Sequence, residues 1–280
     1  MKNVAKKSFV DSIKFIKSGE FIFMILISLI AVFLSMFGYI FDLQVIVSGE
    51  LGRGINNSVW VGLKMSIITI LFIYPLGLLF LKNNMMRSNG KIKNDKTYEN
   101  KNYIIYKHFS NFIILSLITL IIFVLGGIMQ VIRGENPLNL IELLTPWLII
   151  ILPLMYFTAT LSILFQVVPF LKRTFGLIVF IFLYFSQILI PIYLNTNGKW
   201  ALDILGISKI LDYTNYSLII FTWQKVTKTF LLENFNFSTS FLFSRLLIIV
   251  VGLIILFASQ SIFKRSFGNK NIWKKRGWKL

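Results

Sequence analysis

The stretch PWLIIILPLMYFTATLSILFQVVPFLKRTFGLIVFIFLYFSQILIPIYL, residues 146–194, decides the fold of this chain. It is almost entirely apolar, and its one charged interruption is the adjacent pair Lys172 and Arg173. A helix that crosses the ~30 Å hydrocarbon core of a bilayer needs about 20 residues, so the stretch is long enough for two. We predict two spanning helices, 146–171 and 174–194, joined by a tight basic turn at the membrane surface.

Four further apolar runs have the same length and character. Of the 280 residues, 56% are hydrophobic and 14% are charged, a balance that excludes a soluble globular domain. We therefore expect an all-α integral membrane protein that forms one transmembrane domain over residues 1–280, with six transmembrane helices. The four additional predicted spans are 21–41, 60–81, 111–131 and 241–263.

The basic residues predict the orientation of these spans. The formal charge is +18, and six spans divide the Lys and Arg residues into 21 on one side and 8 on the other. Because cytoplasmic loops of membrane proteins carry the excess of Lys and Arg, we expect both termini in the cytoplasm. The cytoplasmic parts are then 1–20, the loop 82–110 and the basic tail 264–280, and the largest extracytoplasmic loop is 195–240. The basic residues are scattered among apolar spans, which argues against a nucleic-acid partner.

Two segments outside the spans have the character of interfacial structure. Phe9, Ile13 and Ile16 fall on one arc of a helix over 1–20, which predicts an amphipathic helix at the cytoplasmic membrane surface. The apolar piece 216–223 is too short to span, so we expect a re-entrant or interfacial helix between spans five and six.

The residue types argue against chemistry within this chain. There is no Cys, His108 is the only histidine, and no Asp, Glu or His lies inside a predicted span. We therefore expect no catalytic residue, no metal site and no cofactor here, because intramembrane chemistry needs such groups. No phosphate-binding G-x-x-x-x-G-K-[ST] motif is present, so energy for active transport would have to come from another chain.

Polar residues in the spans leave two interpretations open. Lys64 and Arg245 lie near the outer ends of spans two and six, where they either anchor the helices at the headgroups or line an exit for an anionic substrate. The remaining polar positions serve either helix packing or a substrate path. They are Thr158, Ser162 and Gln166, which form one stripe on span four, and Gln187 on span five.

The order of these features resembles the permease subunits of type-2 ATP-binding-cassette transporters, the ABC-2 superfamily. Residues 106–112, YKHFSNF, resemble the start of that family's third span. Residues 152–173 resemble its fourth span and the following turn, and residues 245–265 resemble its last span with a basic stop. The loop 94–99 keeps the acids and Thr of the family's inner loop but lacks its Gly.

The resemblance implies a half-transporter of the bacterial cytoplasmic membrane. A second permease copy or paralogue would complete the path, and two separate ABC ATPase subunits would bind ATP and Mg²⁺. The ATPase-coupling residues would be Thr97, Tyr98, Tyr103, Ile104, Tyr106 and Lys107, braced by Phe9, Ile13 and Ile16. The alternative for these aromatic residues is that they anchor the loop to membrane lipids.

The function that we expect is export of an amphipathic substrate, such as an antimicrobial or toxin peptide or a lipid-linked molecule. In this interpretation the chain itself is not an enzyme, and ATP hydrolysis takes place in the partner. The alternative is a membrane scaffold or immunity protein that binds a peptide or lipid and transports nothing.

Overall fold

The computed structural model describes residues 2–37, 43–47, 50–82, 103–171, 174–194, 203–207, 218–220, 228–233 and 237–267. These ranges contain seven long helices, one short 3-10 helix (Pro169–Leu171) and four short strands. The helices are α1 (Lys2–Ile16), α2 (Gly19–Phe37), α3 (Ser58–Leu81), α4 (Tyr103–Arg133), α5 (Leu140–Val167), α6 (Thr174–Leu194) and α7 (Thr239–Phe267).

Five of the described helices, α2, α3, α4, α5 and α7, are long and apolar enough to cross a membrane. A multi-pass, mainly helical membrane protein is therefore confirmed. The remaining predicted span, span five, corresponds to α6, a 21-residue apolar helix. The helix bounds differ most from prediction in α4, which begins at Tyr103 instead of residue 111, and in α5, which begins at Leu140 instead of 146 and ends at Val167 instead of 171. Elsewhere they differ by up to four residues. Val168 is extended because it lies directly before Pro169.

Two of the spanning helices contain a π-helical turn just before a proline. In α3 the turn is Thr69–Ile73, followed by Pro75, and in α5 it is Trp147–Ile151, followed by Pro153. A proline has no N–H to donate to the carbonyl four residues earlier, so the α-helical hydrogen-bond pattern is interrupted there. In α3 that carbonyl belongs to Leu71, and the Tyr184 hydroxyl of α6 donates to it at 3.2 Å.

The helix α5 lies at the centre of the bundle. About 72% of its apolar window is buried, against 33% for α2 and α7. It packs against α4, α3 and most extensively α7. By contrast, α6 exposes large apolar side chains along its length, including Phe175, Phe182 and Leu189. Such exposed apolar faces are expected of helices at the lipid boundary.

A four-stranded sheet joins two loops that are far apart in the sequence. The strands are β1 (Leu43–Val47), β2 (Glu50–Gly54), β3 (Leu218–Ile220) and β4 (Lys228–Phe230), and their spatial order is β3-β1-β2-β4. Strand β1 pairs antiparallel with β2 and β3, and β2 pairs parallel with β4.

The sheet is an addition to the all-α architecture expected from the sequence. The described part of the apolar piece 216–223 is strand β3, where an interfacial helix was expected, and the rest of that piece lies outside the described residues. The physical reason is that three residues beside the β1–β2 hairpin find backbone partners in β1. The partner strand is about 170 residues away in the chain, so no local pattern indicated it.

The sheet is fixed to the N-terminal end of α3. The backbone N–H of Ile55 donates to the Phe230 carbonyl at 2.8 Å, and the Asn57 side-chain amide donates to the Leu232 carbonyl at 2.6 Å. The rings of Trp60 and Phe230 meet edge to face, with centroids 5.2 Å apart. Gly54 lies so close to Trp60 that an added Cβ would overlap the indole ring. The second half of the chain is thereby held against the first.

The register of β1 and β3 predicts a specific cross-link. Gln44 lies opposite Ile219, a spacing that a disulfide can bridge, and the chain has no native cysteine to interfere. We expect the pair Gln44→Cys and Ile219→Cys to form a disulfide on mild oxidation, seen as a mobility shift on a non-reducing gel. The control pair, Gln44→Cys and Leu218→Cys, places the thiols on opposite faces of the sheet. Equal cross-linking of both pairs would contradict this register.

Candidate functional site

The N-terminal end of α4 carries a buried polar cluster that joins it to α1. Lys107 is 2% exposed, and its Nζ lies 2.6 Å from Oδ2 of Asp11. The Ser110 hydroxyl donates to the same carboxylate oxygen at 3.3 Å. The Ser8 hydroxyl donates to the Tyr106 carbonyl at 2.9 Å, and that of Ser12 donates to the Ser110 carbonyl at 3.2 Å. We call these residues the α1–α4 latch.

The latch uses a different face of α1 from the one that the sequence suggested. Ser8, Ser12 and Phe15 are buried, whereas Phe9 is 57% and Ile13 38% exposed. Ile16 is half-buried. The predicted bracing of the coupling segment by Phe9, Ile13 and Ile16 is therefore not the contact that these described residues make. Small hydroxyl side chains allow close helix approach and hydrogen bonding between helices, which explains the choice of face.

The aromatic residues of the proposed coupling segment pack inside the chain. Tyr103 and Ile104 are each 1% exposed, and Tyr106 is 8% exposed. The Tyr103 ring stacks on Phe263 of α7, with centroids 5.6 Å apart and planes inclined by 15°. These three residues form an apolar cluster whose other members are Ile163 and Val167 of α5 and Leu256 and Phe263 of α7.

This cluster gives the aromatic residues a role that neither sequence interpretation contained. They pack the first turn of α4 against the end of α5 near Val167 and the end of α7 near Phe263. Lys107 belongs to the latch, and Thr97 and Tyr98 lie outside the described residues. His108, also buried, packs edge to face on Tyr156 of α5, with ring centroids 4.8 Å apart.

The polar stripe on α5 joins helices. Ser162 accepts a hydrogen bond from the Asn111 side-chain amide of α4 at 2.8 Å. Gln166 donates to the Leu81 carbonyl at the end of α3 at 2.6 Å, and Thr158 donates within its own helix to the Leu154 carbonyl at 2.7 Å. All three stripe residues are buried. Of the two interpretations left open by the sequence, these contacts favour helix packing.

Gln187 makes a similar contact for α6. Its Oε1 accepts a hydrogen bond from the Tyr74 hydroxyl of α3 at 3.1 Å. Together with the hydrogen bond from the Tyr184 hydroxyl to the Leu71 carbonyl, this contact attaches α6 to α3 at its π-helical turn. Neither contact was predicted, although Pro75 was a usable signal, because a proline within a span leaves a carbonyl in need of a donor.

Lys64 is buried at the outer end of the bundle. It is 2% exposed, and its ammonium donates to Oδ1 of Asn56 at 3.1 Å and to the Ser35 carbonyl of α2 at 3.4 Å. The expectation of a side chain that reaches out to the headgroups is therefore corrected. Lys64 connects the loop before α3 to the outer end of α2.

Arg245 holds an outer-loop turn against α7. It is 4% exposed, and its guanidinium donates to the carbonyls of Asp203 and Ile204 and lies 4.5 Å from the Phe241 ring centroid. The Asp203 carboxylate accepts from the backbone N–H groups of Gly206 and Ile207. Gly206 has φ +80°, a conformation that favours glycine. Here too burial corrects the expected headgroup anchoring, and the contacts are structural.

No family model, curated protein or solved structure matches this chain. The arrangement of its own residues is therefore the basis for any functional statement. Among the described residues, no three side chains of His, Asp or Glu come together in a way that would hold a metal ion.

The contacts of Arg245 predict a stability effect. Arg245→Met leaves two buried carbonyls without their donor, so we expect the free energy of unfolding to fall by about 2 kcal/mol. Thermal unfolding of the purified protein in detergent measures this, with Arg265→Met as the control, because Arg265 lies in the last turn of the same helix and is exposed. A substrate-binding Arg245 would behave differently: stability would be unchanged, and only transport would respond.

Proposed function

We propose that this chain is the permease subunit of an ATP-driven exporter of the bacterial cytoplasmic membrane, with six spans and both termini in the cytoplasm. A separate ABC ATPase would supply the energy, and a second permease chain would complete the path. The cargo class that suits span interiors without acids is amphipathic, such as a peptide or a lipid-linked molecule. The observation that carries the proposal is the α1–α4 latch beside the cluster of Tyr103, Ile104 and Tyr106.

The sheet supports a sixth crossing. Strands β1 and β2 follow α2, and strands β3 and β4 follow α6. If α2, α3, α4 and α5 cross the bilayer and α6 does not, the two pairs of strands begin on opposite sides. They could not then hydrogen-bond in one sheet, because a bilayer would separate them. Crossing by α6 puts all four strands on one face, and the return through α7 puts the C-terminus beside the N-terminus.

The latch supports a coupling role because of where it lies. The residues ahead of Tyr103 lead directly into α4, so a force that a partner applied to them would reach its first turn. From there Tyr103 and Tyr106 contact the ends of α5 and α7, and Lys107 contacts α1. A movement of the first turn of α4 would therefore act on three further helices.

A non-transporting scaffold or immunity protein is the second candidate. The observation that favours it is the engagement of the stripe residues Ser162 and Gln166 in bonds between helices, which leaves them unavailable to a substrate within one chain. In a transporter of two permease chains, the path would lie between the chains. The two candidates therefore differ in their need for a second chain and an ATPase.

Purification from native membranes tests the proposal. We expect the tagged chain, isolated in mild detergent after cross-linking, to carry an ABC ATPase in about equal molar amount and to show vanadate-sensitive ATP hydrolysis. Mass spectrometry identifies the ATPase, and mass photometry counts the permease chains. A homogeneous preparation that retains its biological activity without any ATPase would contradict the proposal and favour the scaffold.

A substitution within the predicted coupling segment can separate loss of coupling from loss of folding. Substitutions of Tyr103 or Tyr106 would disturb the buried cluster and so confound coupling with folding. We therefore expect Tyr98→Ala, in the loop ahead of α4, to lower ATPase co-purification severalfold while thermal stability is unchanged. Leu231→Ala is the control, since Leu231 is 47% exposed and follows β4. Equal loss in both variants would argue against docking at the loop.

A further inference from the structure

The exposed part of α1 combines two kinds of side chain. Three of its lysines, Lys6, Lys7 and Lys14, are exposed, as is Lys17 directly after it. Beside them Phe9, Val10 and Ile13 are 57%, 45% and 38% exposed. At 100° per residue these residues share one face of the helix: Phe9 and Ile13 lie at one edge, Lys7 and Lys14 at the other, and Lys6 and Val10 lie between them. In such a mixed face the long lysine side chains reach the headgroups while the apolar side chains enter the acyl region.

The latch fixes the rotation of α1 about its own axis. Ser8, Ser12 and Phe15 lie on the buried side, and the Asp11–Lys107 pair prevents that side from turning away from α4. The lysines therefore remain on the exposed side of α1, because the helix cannot rotate about its axis while its buried side packs against α4. A surface whose direction is set by the rest of the chain is preorganised for its ligand.

The connection to α2 sets the depth of α1. Only Lys17 and Ser18 separate Ile16, the end of α1, from Gly19, the start of α2. The turn is closed by a bond from the Ser18 N–H to the Phe15 carbonyl at 2.8 Å, and the Phe21 N–H donates to the Ser18 hydroxyl at 3.4 Å. Because α2 enters the hydrocarbon within a few residues, α1 lies at headgroup level.

We propose that α1 binds anionic phospholipids of the leaflet in which it lies, with Lys6, Lys7, Lys14 and Lys17 contacting headgroup phosphates while Phe9, Val10 and Ile13 insert between the acyl chains. A lysine close to an anionic membrane surface is attracted to it. The other occupant of such a surface would be an acidic protein. Lipid is favoured here because the lysines alternate with exposed apolar side chains and because the turn at Ser18 leaves α1 at the bilayer. This inference does not depend on the exporter proposal.

Hydrogen–deuterium exchange on the full chain in nanodiscs tests this proposal. One set of nanodiscs contains phosphatidylcholine alone, and the other contains phosphatidylcholine with about a quarter phosphatidylglycerol. We expect amide exchange in residues 2–16 to be at least about fivefold slower in the anionic nanodiscs. Substitution of the four lysines by Gln removes the difference. The control variant, Lys264→Gln with Arg265→Gln, alters exposed basic residues at the end of α7 and retains it.

Three results would overturn the proposal. The first is equal exchange of α1 in both lipids. The second is loss of the difference in the control variant as well, which would indicate a general effect of charge. The third is protection of α1 only when an ATPase is added, which would assign the surface to a protein partner. Should the four-lysine variant fail to fold, the same exchange experiment is repeated on the native chain at high salt. About 0.5 M NaCl must abolish the difference in α1 exchange between the two kinds of nanodisc, because exposed charges are screened at that concentration.

Discussion

The ion pair between Lys107 and Asp11 is the interaction on which the packing of α1 against α4 depends. A lysine that is 2% exposed at the end of a membrane helix requires a counter-ion, because an unpaired buried ammonium is costly. The counter-ion comes from α1, and with it come the serine contacts that lay this helix along α4. Lys64 and Arg245 act similarly, since each holds a segment between helices against the bundle. Buried cations thus fix α1 and two of the segments between helices.

Five of the predicted spans correspond to helices that are long and apolar enough to cross a membrane. Their positions could be predicted because crossing a bilayer requires about 20 apolar residues. The packing face of α1 could not. Periodicity assigns the apolar side to the contact, yet Phe9 and Ile13 are exposed while Ser8 and Ser12 are buried, because small hydroxyl side chains allow close helix approach. The amphipathic pattern of α1 therefore did not identify the face that contacts α4.

The roles of Lys64 and Arg245 depended on partners that are distant in the sequence. Arg245 contacts Asp203 and Ile204, about 40 residues away, and the strands of the sheet join segments about 170 residues apart. Hydropathy and residue spacing report only on residues that are close in the sequence. They therefore cannot identify partners that lie about 40 or 170 residues away. The polar stripe on α5 could be recognised from the sequence, but the sequence did not show whether its partners are other helices or a substrate. The bonds of Ser162 to Asn111 and of Gln166 to Leu81 answer that question in favour of helix packing.

A double-mutant cycle on Asp11 and Lys107 tests the central claim most directly, with the free energy of unfolding measured by steric trapping in bicelles. The account predicts that Asp11→Lys and Lys107→Asp each destabilise the protein by on the order of 3 kcal/mol, because each places like charges together at a buried site. The charge-reversed double variant should recover most of that loss, and exchange protection of α1 should return with it. If the two effects simply add, Asp11 and Lys107 are not energetically coupled, and the latch does not hold α1 to α4.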